Sequence, residues 1–498
     1  MVKHRFNNVL IGNELLLVQC AEILRRNDQH IAQIVSENPA IRSYADQHGI
    51  RTAPWGEKLE ETLAGVEYDW LFSIANLRII PDAVWRKAKA GAANFHDGPL
   101  PRYAGLNAPA WAILEGQTRH GVTWHAIASR VDEGLIYEQQ LFEIEPGETA
   151  LTLNSRCFEA GIATFTTLWD RIESDTLTGW PQQLGERSYY GRYQRPDLAG
   201  TLRFERAAVE LDRLVRALDF GDGYANPLLT PKLLGPDGAY TVTSLAIAPD
   251  AGRGDPGTVL SVSGDDVTVA TRTDPVVIRA RRSGDGAALA AQLAAGMVLP
   301  APDSLDAGRL NAEAARAARN EASIRAGLAA ARDADLIDVK PWTPALRPDI
   351  ASLPLALPEE LSPDDKFAAF AATILRLTGQ DEVSIAWANG QSLALSRQFP
   401  GYFADSLPLD CQAPAGISVA DFRERSASTL AASRERGSYL LDLPQRFPGL
   451  AIPHLTAGFV EGEGGTDADL PTSCALALVA AAAGDRLVYD RTRIADSA

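Results

Sequence analysis

The first 200 residues alternate short apolar runs with segments of helical periodicity, and this alternation restricts the fold more than any other feature. The predicted strands are the runs FNNVLIG, HIAQIVS, DWLFSIAN and AANFH, and apolar residues recur at helical spacing between them. A β-α-β-α order of this kind predicts a mostly parallel, doubly wound α/β sheet. No G-x-G-x-x-G motif follows the first run, so a nicotinamide-cofactor site is not indicated.

At 498 residues the chain is too long for one hydrophobic core, and its pattern changes along its length. Beyond residue 200, short alternating runs joined by Gly-Asp turns predict a small, OB-like β-barrel. A helical, Ala- and Arg-rich stretch and a Pro-rich crossing follow, and the last segment again mixes helix and strand patterns. We therefore predict an α/β domain at 1–200, a β-barrel-like domain at 201–300, a linker at 301–339 and an α/β lobe at 340–498.

Composition argues against several classes of partner and site. A net charge of −17 disfavours nucleic acid, because nucleic-acid affinity depends mainly on cationic contacts to phosphates. There is no apolar run of about eighteen residues and no secretory signal, so we expect a cytoplasmic protein with no membrane partner. Cys20, Cys157, Cys411 and Cys474 form no C-x-x-C pair, which predicts buried free thiols and no metal site.

The stretch NFHDGPLPRYAG, which begins at Asn94, places polar side chains where a predicted strand ends. Asn94 and His96 are two residues apart and therefore share one face of the strand. Pro99 and Pro101 prevent the strand from continuing, since proline donates no hydrogen bond to a ladder. Ligands of open α/β sheets bind at this carboxyl end, so we predict a functional site here.

The residue types at this position are suited to acyl transfer without a covalent nucleophile. Histidine can hold or pass a proton near neutral pH, and an asparagine amide can stabilise a developing oxyanion. A carboxylate is the usual partner that orients such a histidine, and Asp132 in ASRVDEGLI is the candidate. On spacing alone, a capping Asn94 and a satisfied surface His96 remain an alternative. His120 and His125 are interpreted as ordinary polar contacts near this site.

Two linked motifs, NFHDGPLPRYAG and HGVTWHAIASRVDEGLI, resemble motifs of the folate-dependent formyltransferase family, which includes methionyl-tRNA formyltransferase-like enzymes. The resemblance covers about residues 5–200 and continues into the predicted barrel. It implies catalytic roles for Asn94, His96 and Asp132, with N10-formyltetrahydrofolate as the formyl donor. It places donor-binding positions at Leu77, Arg78, Ile79, Val131 and Glu133. The sequence HDGPLP replaces the Ser-Leu-Leu-Pro of many relatives, which leaves the shape of the acceptor side open.

The last 160 residues or so resemble the second half of a nonribosomal peptide condensation domain, through GYFADSLPLD and SVADFRERSASTLAASRERG. The His-His-x-x-x-Asp-Gly motif of such domains is absent, so this lobe is predicted to be catalytically silent. The resemblance implies an N-terminal formylation domain of a peptide synthetase, with a carrier-bound aminoacyl amine as acceptor. Two alternatives are a sugar N-formyltransferase and a non-catalytic scaffold domain of a peptide synthetase.

Half of a two-lobed fold leaves an apolar face without its usual cover. We therefore expect this face of the lobe to be buried against the barrel or the helix at 311–333. The run EVSIAWANG is predicted to be a central strand of the lobe.

Overall fold

The chain divides into two units. A computed structural model describes residues 4–283, 285–343, 348–358, 360–462, 470–482 and 484–494. The N-terminal unit comprises Met1–Gln194 and Arg216–Gly221, and the C-terminal unit comprises Arg195–Val215 and Asp222–Ala498. The C-terminal unit contains the predicted barrel, linker and lobe together, and the finer division into four domains stays a prediction.

The N-terminal unit is a mixed α/β layer structure. Its strands are β1 (Asn7–Ile11), β2 (His30–Val35), β3 (Thr52–Ala53), β4 (Trp70–Ser73), β5 (Gly91–His96), β6 (Ala104–Gly105), β7 (Arg119–Ala126), β8 (Ile136–Glu143) and β9 (Tyr189–Tyr190). Its helices are α1 (Leu16–Arg26), α2 (Pro39–Gln47), α3 (Leu59–Thr62), α4 (Asp82–Trp85), α5 (Ala108–Leu114) and α6 (Ala150–Glu173). The segment PDAVWRKAKAG between β4 and β5 forms only a short helix, since α4 has four residues.

The main sheet has seven strands in the order β3-β2-β1-β4-β5-β7-β8. The strands from β3 to β5 are parallel, as the alternating pattern predicted, and β7 and β8 are added antiparallel. Helices cover both faces: α1 and α6 pack on the face of Leu10, whereas α3 and α4 pack on the face of Val9. The strand order reverses between β1 and β4, and such a reversal creates a crevice at the carboxyl ends of the strands.

The first part of the C-terminal unit is an antiparallel sheet preceded by α7 (Ala208–Ala217). Its strands are β10 (Lys232–Gly235), β11 (Gly238–Ile247), β12 (Val259–Ser263), β13 (Asp266–Val269) and β14 (Val276–Arg282). They lie in the order β10-β11-β14-β13-β12. The turn at Gly264 has φ +60°, which is the conformation that a Gly-Asp turn requires. Closure of this sheet into a barrel remains a prediction.

The second part is the lobe, which is built on a six-stranded sheet. Its strands are β15 (Ile350–Leu355), β16 (Glu382–Asn389), β17 (Leu407–Gln412), β18 (Ala457–Glu461), β19 (Leu476–Ala480) and β20 (Asp485–Asp490). The helices are α8 (Ala307–Ala330), α9 (Pro363–Thr378), α10 (Gly390–Gln398), α11 (Val419–Arg436) and α12 (Leu443–Arg446). The order is β15-β20-β19-β18-β16-β17, so the run EVSIAWANG forms an interior strand beside the edge strand β17.

The apolar face of the lobe is covered as expected. Ile324 and Leu328 of α8 belong to the same buried cluster as Phe367 of α9 and Trp387 of β16. The main chain of the lobe also contacts the antiparallel sheet, since Ala239 N–H donates to the carbonyl of Pro400 at 2.8 Å. A condensation-like origin of the lobe is not established by this packing and stays a prediction.

Two expectations from composition can be compared with the structure. All four cysteines are buried and free, as predicted. Among the described residues, no helix is both long enough and apolar enough to cross a membrane.

Candidate active site

The end of β5 places the first two predicted residues. Asn94 lies in register with Ser73 of β4 and His125 of β7, so both neighbouring strands fix its position. The chain after His96 turns back on itself, and Nε2 of His96 donates a hydrogen bond to the main-chain carbonyl of Tyr103 at 2.8 Å. His96 is only 5% exposed, which excludes the alternative of a surface histidine.

Asp132 completes the group. Its Oδ2 lies 3.8 Å from Nδ1 of His96, and its Oδ1 lies 3.4 Å from Nε2 of His125. The main-chain N–H of Gly105 donates to Oδ2 at 2.8 Å. Burial alone would raise the pKa of Asp132, but His96, His125 and the Gly105 amide outweigh it and hold the pKa well below the usual range. Asp132 is therefore ionised at neutral pH.

His125 belongs to this site, so its interpretation as an ordinary nearby contact understated its position. Its Nε2 lies 3.2 Å from Nδ2 of Asn94, and it thus connects Asn94 to Asp132. The signal that would have identified it is the antiparallel pairing of β5 with β7. That pairing exists only in the folded structure, and the periodicity within one strand cannot predict it.

The hydrogen bonds define which ring nitrogen of His96 is available. A carbonyl oxygen can only accept, so Nε2 carries the proton that is donated to Tyr103. Nδ1 lies 3.8 Å from carboxylate oxygens of both Asp97 and Asp132, and it becomes a donor only when the ring is charged. The charge on Asp132 stabilises that form. Nδ2 of Asn94 lies 3.1 Å from the carbonyl of Phe95 as well as close to His125, so Asn94 must release a contact before it can bind an oxyanion.

The first predicted donor-binding loop follows β4. Leu77 and Ile79 are 66% and 79% exposed, an unusual position for large apolar side chains. Arg78 donates to Glu37 at 3.1 Å and lies over the ring of Trp55. The loop therefore presents apolar side chains to solvent, while the guanidinium of Arg78 is bound to Glu37 and Trp55.

The second predicted donor-binding loop carries Val131 and Glu133. Val131 is 40% exposed. Glu133 lies 3.7 Å from Arg187, which also donates to the carbonyl of Val131 at 3.1 Å. Ser129 of the same loop donates to Asp82 at the start of α4, so the two loops lie close together.

Residues 187–192, which we call the strap, contact three loops of the site. The sequence pattern did not predict a role for this segment. Arg187 binds the loop of Val131, and Arg192 donates to the carbonyl of Leu77 at 2.6 Å. The strap also pairs in parallel with Ala104 and Gly105 through β9. It thus positions both predicted donor loops and the loop that follows His96.

A cleft also opens at the carboxyl ends of β1 and β2, lined by residues that include Asn13, Ser36, Glu37 and Trp55. Its lining also includes Asn76, which follows β4, so the cleft borders the crevice that the strand order predicts between β1 and β4. Its lining does not include Asn94, His96 or Asp132.

Comparison with known proteins points to the same segment. Residues 13–167 match the model of the formyl transferase family. The match covers just under a third of the chain and contains Asn94, His96 and Asp132. The strap and the whole C-terminal unit lie outside it.

Several solved structures are similar at low identity. The N-formyltransferase from Helicobacter canadensis, in complex with folinic acid and dTDP-3-aminofucose, is 19% identical with a TM-score of 0.45, over 56% of this chain and 100% of that chain. HypX from Aquifex aeolicus, in complex with tetrahydrofolic acid, is 17% identical with a TM-score of 0.41, over 56% and 45%. A 4-N formyltransferase from Francisella tularensis is 16% identical with a TM-score of 0.39, over 46% and 93%. These values do not distinguish one acceptor from another.

Proposed function

We propose that this protein transfers a formyl group from N10-formyltetrahydrofolate to a primary amine. The observation that carries the proposal is the buried group around Asp132, whose carboxylate lies 3.8 Å from His96 and 3.4 Å from His125. Asn94 lies against the same His125. A family match over the segment that contains these residues supports the reaction class.

The geometry suits direct attack of the amine on the formyl carbon. As the carbon–nitrogen bond forms, the formyl oxygen becomes an oxyanion. The charged ring of His96 donates to it through Nδ1, and Asn94 donates through its amide after releasing one resting contact. Asp132 stabilises the charge on His96 and keeps the ring in place. Cys157 is fully buried, and burial raises the pKa of its thiol well above the usual range, so it is not a nucleophile.

The two exposed loops fit the donor's chemistry. A pterin ring is flat and largely apolar with polar edges, and pockets for such ligands combine apolar side chains with a few polar groups. Leu77, Ile79 and Val131 supply the apolar surface. Main-chain groups of the loops that the strap holds supply polar edges. Arg78 and Glu133 act by shaping the loops through Glu37 and Arg187.

For the acceptor, we propose the amine of an aminoacyl group on a carrier protein, in nonribosomal peptide biosynthesis. The support is the resemblance of residues 340–498 to half of a condensation domain. The net charge of −17 argues against a nucleic-acid acceptor.

The test is formyl transfer by the full chain with N10-formyltetrahydrofolate as donor and a panel of acceptors. The panel contains aminoacyl-loaded carrier proteins and nucleotide-linked amino sugars, and mass spectrometry reports the added formyl group. We expect transfer to a carrier-bound amine. His96→Ala and Asp132→Asn should each reduce transfer by about 10²–10³-fold, the usual cost of losing oxyanion stabilisation. The matched control is His30→Gln, which changes an exposed histidine and should leave transfer unaltered.

Each other outcome corrects a different part of the proposal. Transfer to amino sugars alone would retain the reaction and replace the acceptor. Near-full activity of both site variants would contradict the catalytic assignment. Absence of transfer, together with absence of calorimetric binding of 5-formyltetrahydrofolate, would favour a scaffold role.

A further inference from the structure

The acceptor amine must lose a proton before it can attack, and Asp132 is poorly suited to receive it. At neutral pH an alkyl ammonium group has no lone pair, so a base has to remove one proton first. A carboxylate whose pKa is held far below its usual range binds a proton weakly. The other titratable groups of the site therefore need to be considered.

Asp97 is a second carboxylate at the same ring nitrogen. Its Oδ1 lies 3.8 Å from Nδ1 of His96, which is also the distance from that atom to Oδ2 of Asp132. The side chain of Asp97 is 27% exposed, against 10% for Asp132 and 5% for His96. Of the three groups, Asp97 thus has the most exposed side chain.

The surroundings of Asp97 and Asp132 shift the pKa values of these two carboxyl groups in opposite directions. Asp132 accepts a hydrogen bond from Gly105 and lies between two histidines. In the described part of the chain, no side chain donates a hydrogen bond to the carboxylate of Asp97. Burial raises the pKa of Asp97, and the nearby Asp132 raises it further, against the opposing effects of His96 and of its own main-chain amide. Two carboxylates whose environments separate their pKa values are a common arrangement for distinct acid–base roles.

The remaining groups around Asp97 do not compete for the proton. His120 donates through Nε2 to the main-chain carbonyl of Asp97 at 2.9 Å, and burial lowers the pKa of His120 to about 4, so the ring is neutral. The thiol of Cys157 lies 3.8 Å from the same carbonyl and is also neutral. His96 and Asp132 are the other titratable side chains that face the carboxylate.

Given the proposed function, we infer that Asp97 is the catalytic base that accepts the first proton from the acceptor's ammonium group. The ammonium loses this proton to the Asp97 carboxylate and becomes a neutral amine. The amine attacks the formyl carbon, and its second proton passes to the departing donor nitrogen as the carbon–nitrogen bond to the donor breaks. Asp97 returns its proton to water through its exposed side. In this scheme Asp132 keeps His96 charged and stays ionised throughout.

The test compares acceptors that differ in how readily they lose a proton. Asp97→Asn keeps the size of the side chain and removes the base. With aminoacyl carrier protein near neutral pH, we expect transfer to fall by about 10²-fold, at the lower end of general-base contributions. With hydroxylamine, which is already neutral at this pH, the loss should shrink to less than about tenfold. Asp97→Glu should restore part of the transfer to the carrier-bound amine, and Asp46→Asn, an exposed carboxylate on α2, is the matched control.

The outcomes separate this inference from the proposed function. An equal loss with both amines would mean a structural role for Asp97 and overturn the inference, as would full activity of Asp97→Asn. Calorimetric binding of 5-formyltetrahydrofolate should be unchanged in Asp97→Asn, which shows that the fold and donor site are intact. If the unaltered protein transferred no formyl group to any amine, the proposed function itself would fail, and this inference with it.

Discussion

The residue that links pH to stability most directly is His120. It is 1% exposed, and its Nδ1 has no hydrogen-bond partner among the described residues. Burial lowers its pKa to about 4. An unfolded histidine has a pKa of about 6.5, so between these values the unfolded state binds more protons and the folded state loses stability as pH falls. The full effect is about 3 kcal/mol, and this group contributes no further loss below about pH 4.

We therefore expect His120→Gln to flatten the dependence of the free energy of unfolding on pH. Urea denaturation at about pH 7.5 and about pH 5 should show a loss of roughly 2 kcal/mol from this group in the unaltered protein, and no such loss in the variant. Asp132 does not interfere, because its lowered pKa confines its effect to pH values below about 4, where its stabilising charge is lost. His30→Gln, which changes an exposed histidine, should keep the original slope. Parallel pH profiles for the unaltered protein and His120→Gln would contradict this account.

At the same scale, some residues of the candidate site could be predicted from the sequence and others could not. Asn94 and His96 could be predicted because a period of two and two prolines are visible in one stretch. Asp132 could be predicted only as a carboxylate after the next strand. The place of His125 in the site and the role proposed for Asp97 could not be predicted, because they depend on distances across β5 and β7 and on burial. Both are properties of the folded chain.

Among the elements, the strap is the one on which the site geometry depends most. Gly105 has φ +100°, and a Cβ there would lie 2.2 Å from the carbonyl oxygen of Tyr190. The same glycine donates to Asp132. Tyr103 also donates from its hydroxyl to Glu115 at 2.6 Å, and Tyr190 donates to the same carboxylate. The loop that orients both His96 and Asp132 is thus fixed at its main chain and at its side chains.

Gly105→Ala should therefore affect catalysis more than stability. The added methyl group must push the loop from the strap, and a displacement of about 1 Å can cost about 10²-fold in rate. We expect a loss of this size in kcat/KM for formyl transfer, with two-state unfolding preserved. Gly49→Ala is the matched control, since Gly49 also has a positive φ, +65°, but has no atoms within 4 Å of the added Cβ. Its variant carries similar backbone strain, so an equal loss of activity in both variants would contradict a positioning role for the loop.

The elements themselves were predictable to the extent that periodicity shows them. The strands β1, β2, β4 and β5 and the helices α1 and α2 follow apolar patterns, and α2 begins after Asn38, whose side chain caps it, and ends before Gly49. The strap was missed because β9 has only two residues and no alternation. Strand order also lies outside what a single run can show, as the position of β16 near an edge demonstrates.

At the scale of the whole molecule, a buried charge cluster joins the two parts of the C-terminal unit. Lys232 of β10 and Asp442 before α12 are 1% and 0% exposed, and their charged atoms lie 2.6 Å apart. Arg446 donates to Asp442 at 2.9 Å and to Glu321 of α8 at 2.5 Å. Burial opposes the charge of Asp442, but Arg446, Lys232 and the amide of Thr230 hold its pKa well below the usual range. One carboxylate therefore serves two buried cations from separate parts of the unit.

Removing that carboxylate should strongly lower the free energy of unfolding, because it leaves both cations buried without a full counter-charge. We expect Asp442→Asn to lower the free energy of unfolding of the C-terminal unit by about 3–5 kcal/mol, measured by urea denaturation near neutral pH. The control is Asp265→Asn, which breaks a pair with Arg281 whose side chains are 50% and 53% exposed and should cost less than about 1 kcal/mol. Adding Lys232→Met to Asp442→Asn should recover part of the loss, since it removes one of the unpaired cations.

Formyl transfer should persist in Asp442→Asn wherever the chain is folded, because Asn94, His96 and Asp132 all lie in the N-terminal unit. A cost for Asp442→Asn as small as that for Asp265→Asn would show that water or rearrangement satisfies the cluster, and that it does not hold the antiparallel sheet and the lobe together.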